Sequence, residues 1–114
     1  MSHSVEQHFE RRSSIVSDIY DAIVAAAEEF GPVEQEPKKT SIHLNRKSAF
    51  AGIQTRRDFL ILTIKATDDI DSPRISKREH TSPNRWHHEI KIASVDEIDG
   101  EIIGWLRASY DLSG

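Results

Sequence analysis

The residues of this chain whose types could do chemistry are His43, the run Trp86-His87-His88-Glu89, and the cations Lys39, Arg74 and Arg85 in the segments between and before them. The adjacent pair His87-His88 suggests a metal. Neighbours on a strand point to opposite faces, however, so the two rings cannot chelate one ion unless His43 or Glu89 joins one of them. With no cysteine, no His-Glu-x-x-His spacing and no dense acid cluster, the expectation is a chain without a metal or cofactor. Glu89 shares the face of His87 and could orient or protonate its imidazole, the minimal geometry of acid–base chemistry; a plain surface pair has the same spacing. A nucleophile would have to come from Thr40, Ser41, Ser72 or Ser82, and none of these lies in a Gly-x-Ser-x-Gly strand-to-helix elbow. Binding rather than catalysis is therefore expected.

The charge pattern indicates what would be bound. The net charge of −4 hides a split: twelve of the fifteen Lys and Arg residues lie between Lys38 and Lys91 beside six of the nineteen acids, leaving the two ends strongly acidic. A concentrated field, unlike a total, decides which ligands approach. Cations beside Trp86, Phe50 and His43 suit phosphates and stacked bases. The pI of about 5.8 is far below that of most nucleic-acid-binding domains, and the acidic ends repel a long polyanion. The leading expectation is a small anionic or nucleotide-like ligand held by Lys39, His43, Arg74, Arg85, Trp86 and His87, with Trp86 as a stacking or apolar wall. His88, in this reading, is a buried, hydrogen-bonded histidine that fixes the site from behind. A protein-interaction module without a small ligand is one alternative, and nucleic-acid binding is another.

The elements that must position these residues follow from periodicity. Apolar residues recur at helical spacing from Ser14 to Phe30, with Ser13 or Ser14 as the cap and Gly31-Pro32 as the stop. Beyond Pro37 the period changes to two. Thr40, Ile42 and Leu44 alternate with polar residues, and short turns at Arg46-Lys47 and Arg56-Arg57-Asp58 lead into Ser48–Ile53 and Phe59–Lys65, an antiparallel meander. The third strand is apolar on both faces, which leaves room for an apolar pocket on the sheet's second face. Asp71-Ser72-Pro73-Arg74 has the form of a helix start and predicts a short helix to about Glu79. Trp86–Ile92 reads as a fourth strand, with Trp86, His88, Ile90 and Ile92 on one face and His87, Glu89 and Lys91 on the other. Ser94-Val95-Asp96-Glu97 is a capping box for a last helix carrying Val95, Ile98, Ile102, Trp105 and Leu106.

The predicted fold is thus α+β in the order α-β-β-β-α-β-α: a four-stranded antiparallel sheet with the N- and C-terminal helices on one face. A length of 114 residues suits one domain over 1–114, with residues 1–12 as a loosely packed N-terminal arm. Without a cysteine, a signal-peptide pattern or an apolar run near the ~20 residues that span a bilayer, the expected setting is the cytoplasm, with no membrane association.

Several blocks together resemble one family. Phe30-Gly31-Pro32-Val33-Glu34, Lys38-Lys39-Thr40-Ser41-Ile42-His43 and Ser48-Ala49-Phe50-Ala51-Gly52 carry the first half of the resemblance. Asp71-Ser72-Pro73-Arg74-Ile75, Arg85-Trp86-His87-His88-Glu89, Asp96-Glu97-Ile98-Asp99 and Trp105-Leu106-Arg107-Ala108-Ser109-Tyr110 carry the second. In order and spacing, over roughly Val5 to Leu112, the chain resembles a bacterial domain of unknown function numbered 5655. The resemblance implies a compact stand-alone domain and no established activity.

Overall fold

The computed structural model describes residues 3–114; Met1 and Ser2 of the expected N-terminal arm lie outside the described residues. The arm's next residues form a 3-10 turn, Glu6–Phe9, and Val5 and Phe9 pack against the core. Ser13 then caps helix α1, Ser14–Glu28, and its hydroxyl accepts the amide of Ile15. Val16, Ile19, Tyr20, Ile23, Val24 and Ala27 are the buried stripe that holds α1 down. Gly31 follows with a φ of +152°, and a Cβ there would come within 2.5 Å of the Tyr110 hydroxyl. That close approach, rather than chain flexibility, is why glycine stands in this stop signal.

Six strands form one fully antiparallel sheet: β1 Glu34–Pro37, β2 Ile42–Asn45, β3 Ala49–Thr55, β4 Leu60–Ala66, β5 Ile75–Ser82 and β6 Arg85–Ile92, in the spatial order β1-β2-β3-β4-β6-β5. The second helix, α2, runs from Gly100 to Asp111. Alternation sets the faces. Ile42 and Leu44, Ile53, then Leu60, Leu62 and Ile64, then His88, Ile90 and Ile92 are buried under the two helices. A β-bulge where Asn45 meets Ala49 lets Phe50 and Ala51 both be buried, with Phe50 set edge-on against Tyr110 of α2. Among the described residues no helix is long and apolar enough to cross a membrane.

The α+β class, the antiparallel sheet and the helices on one face agree with the sequence. The strand count and the element order do not: the sheet has six strands rather than four, and the segment predicted as a middle helix is edge strand β5. The helix-start signal is real but opens only a turn, in which Ser72 Oγ accepts the Arg74 amide and the Ser72 carbonyl accepts that of Ile75. The residues that follow, Ser76 to Ser82, are all exposed and offer no apolar stripe to hold a helix, whereas β6 offers them a hairpin partner. The other unforeseen strand, β1, is four residues long, acidic and closed by Pro37, the composition of a defended edge. The capping box also differs in use. Ser94 and Glu97 close a 3-10 turn, Val95–Glu97, and the helix itself starts after Asp99, whose side chain accepts the Ile102 amide.

Candidate functional site

With both helices on one face, the other face of the sheet stays accessible, and the register decides which side chains meet there. His43 lies opposite Gly52, Gly52 opposite Thr63, Gln54 opposite Ile61, and Lys65 opposite His87. Gly52 contributes no side chain to this surface, and the nearest atom to a Cβ placed there would be the Thr63 Cβ at 3.7 Å. The gap is the floor of a cavity of about 260 Å³ whose polar lining is Ser41, His43, Gln54, Thr63, Lys65 and His87. Alanine and apolar strand residues complete it, and among the described residues no carboxylate lines it.

Lys65 is the fixed cation of the lining. Its ammonium donates to Ser48 Oγ at 3.2 Å and to the buried Ser113 Oγ at 3.1 Å, while its backbone amide donates to Ser109 Oγ on α2. Burial, and then the positive charge of Arg85, hold its pKa below the ordinary lysine value. Three acids stand next to the lining without entering it: Glu89 opposite Thr63, Glu79 opposite His87, and Glu36. Glu36, opposite His43, accepts from Asn45 and pairs with Lys38 at 3.2 Å; the Asn45 hydrogen bond first, then Lys38, lowers its pKa.

The sequence-predicted site residues separate into groups. His43 and His87 meet across the cavity. Arg85 stands on the same face of β6 as His87, close enough to depress Lys65. Lys39 is exposed in the turn before Ser41, outside the lining. Arg74 is elsewhere and engaged: its guanidinium donates to Asp99 at 3.0 Å, to Glu101 at 3.1 Å and to the Glu97 carbonyl at 2.7 Å, tying the β4–β5 connection to the start of α2. Trp86 lies on the helix-covered side, stacked between His80 at 4.2 Å and His88 at 6.0 Å, and gives the cavity no wall.

His88 is fully buried. Its Nε2 lies 3.1 Å from the donating Ile70 amide and 3.0 Å from Asp69 Oδ1, so it secures the β4–β5 connection rather than the cavity. Lys65, Thr63 and Gln54 are the polar lining residues that sequence reasoning missed, and Ser41, considered there only as a nucleophile, joins them. The signal for Lys65 was present: one cation at the end of an otherwise apolar strand, in phase with Ile61 and Thr63. Among the described residues no group of three or more His, Asp or Glu side chains is placed to hold a metal ion.

A family model described as a domain of unknown function (DUF5655) matches residues 5–113. No curated protein and no solved structure matches the chain.

Proposed function

The chain belongs to the DUF5655 family, and we propose that it acts by binding a small anion, a carboxylate or a phosphate ester, in the cavity on the open sheet face. The observation that carries this reading is a lining whose ionisable groups, among the described residues, are Lys65, His43 and His87; Glu36, Glu79 and Glu89 stand on neighbouring strand positions but outside the lining. An anion entering there meets an ammonium, two imidazoles and the hydroxyls of Ser41 and Thr63, and the charge-assisted bonds it can form are roughly twice as strong as neutral ones. The volume lies just below the ~300–1,000 Å³ of drug-sized pockets, which favours a small molecule. A nucleotide base would lack the stacking wall that Trp86 was expected to give, since that ring is committed to His80 and His88. The cytoplasm is the setting we propose, because a chain without cysteine makes no demand for an oxidising compartment.

The test is thermal unfolding against small carboxylates and phosphates. A ligand at a hundred times its Kd stabilises the native state by ~2.7 kcal/mol, several degrees for a domain of this size. Lys65→Met is expected to weaken binding tenfold or more, and Gly52→Leu, which fills the floor, to remove it while the protein still unfolds cooperatively. Absence of a shift with every anion, or equal shifts in both variants, overturns the reading and leaves a protein partner as the target.

Nucleic-acid binding has one observation of its own in support. Arg12 Nε donates to Thr55 Oγ1 and Arg56 donates to the Thr55 carbonyl, so two guanidiniums share one residue without an ion-paired carboxylate among the described residues. Arg11 and Arg57 flank them. In that case affinity for an oligonucleotide falls steeply with salt and drops in Arg56→Ala/Arg57→Ala.

A further inference from the structure

A second and larger cavity, of about 410 Å³, lies between the β4–β5 connection and α2, away from the helix stripe that faces the sheet. One wall is the connection itself, with Ile70 and Asp68; the other is a flank of α2, with Trp105, which also packs against the core, and with Ala108, Asp111 and Leu112. Trp105, Ala108 and Leu112 recur at helical spacing and present a continuous apolar strip. We propose that this groove binds a linear aliphatic diamine or polyamine. Its methylene chain lies along the apolar strip, and its ammonium groups meet Asp68 from one wall, Asp111 from the other and the Trp105 ring between them.

Charge complementarity selects this occupant. Three aspartates border the groove, against one lysine. That lysine, Lys65, turns its ammonium to Ser48 and Ser113. Asp69 is occupied by Arg78 at 2.9 Å and by His88. Asp68 has a hydroxyl contact from Thr67. Asp111 pairs with Arg107 at 3.4 Å, with both side chains more than half exposed, an arrangement that contributes little and is readily exchanged for a better cation. An anion would meet carboxylates on both walls, and a neutral apolar ligand would gain nothing from them. An ammonium over tryptophan gains cation–π attraction in addition, and tryptophan is the best aromatic for it.

The groove is also preformed. Its loop wall is pinned near one end by His88 and by Arg78, which donates to both Asp69 and the Ile70 carbonyl, and at the other by Arg74 on Asp99 and Glu101. Little ordering cost is left to binding. The inference is independent of the anion site: the ligand has the opposite charge and the walls are different, although Lys65 borders both cavities.

Titration of the wild-type protein with spermidine and with 1,5-diaminopentane, followed by calorimetry and by tryptophan emission, tests it. The expected result is saturable binding with an emission change that disappears in Trp105→Phe. Affinity falls at least tenfold in Asp68→Asn/Asp111→Asn, and 1,5-pentanediol, the uncharged analogue, does not bind. Absence of saturable heat, equal affinity in the double variant, or equal binding of the diol would each overturn the proposal. The comparison of diamine with diol uses the wild-type protein and stands even if a variant fails to fold.

Discussion

His88 shows how a residue chosen for its chemistry can serve the fold. Its Nε2 cannot both accept the Ile70 amide proton and donate to Asp69, and its buried Nδ1 has no hydrogen-bond partner among the described residues. Either neutral tautomer therefore leaves one ring nitrogen unsatisfied. The compensation is Asp69, whose carboxyl is held below the usual aspartate value of 3.8 by the His88 hydrogen bond first and by Arg78 after it. A carboxylate depressed in the folded state contributes stability that is complete above its unfolded pKa and is lost as pH falls through the folded one. Asp69→Asn is thus expected to lower stability near neutrality and to flatten the decline below about pH 3.8, as measured by urea unfolding across pH. An unchanged acid limb would show that the Asp69–His88 contact contributes nothing to stability. His88→Ala, which removes a fully buried ring, is expected to cost about 2–4 kcal/mol. The sequence made His43 and His87 legible as surface partners because strand alternation assigns faces. It could not reveal that Arg74 is neutralised, because Asp99 and Glu101 reach it only through the return of α2.

At the scale of elements, legibility followed the apolar pattern. Helix α1 and strands β2, β4 and β6 bury residues at a clean period, β3 does so beyond its bulge, and the sequence predicts all of them; β1 and β5 are edges whose stability comes from backbone pairing, which leaves no mark on side-chain periodicity. The same logic separates two glycines. Gly104 sits within α2, and a Cβ there would have nothing within 4 Å, so its lack of a side chain serves no packing purpose. Gly104→Ala is expected to raise stability by about 0.5–1 kcal/mol through helix propensity. Gly31→Ala has the opposite expectation: it would force a methyl group onto the Tyr110 hydroxyl, which donates to the Pro32 carbonyl at 3.0 Å, in a backbone region side chains avoid. A loss of about 1–3 kcal/mol follows. Chemical denaturation of the pair reads both signs at once, and a stabilised Gly31→Ala would contradict the close-contact account.

Across the whole molecule, the basic centre read from the sequence is divided by the fold into cations that are engaged and cations that are available. Arg74 and Arg78 are bound to carboxylates, Lys38 is paired with Glu36, and Arg46 covers the Tyr110 ring at 4.5 Å and donates to its carbonyl. Lys65, held by the Ser48 and Ser113 hydroxyls, and Arg85 stand at the open face without an ion-paired carboxylate among the described residues. This division sets how binding should respond to salt. A small anion neutralised mainly at Lys65 releases few counterions, so its affinity should change by well under tenfold between about 50 and 200 mM salt, whereas a protein making some 6–10 phosphate contacts loses about 10³–10⁵ over that range. Lys65→Met separates the two cavities in the same assay. Anion binding is expected to fall tenfold or more, while diamine binding in the groove stays equal or tightens, because the variant removes the lysine that borders that groove. If both ligands weaken together, the two cavities do not act as separate sites and Lys65 holds a structure that both require.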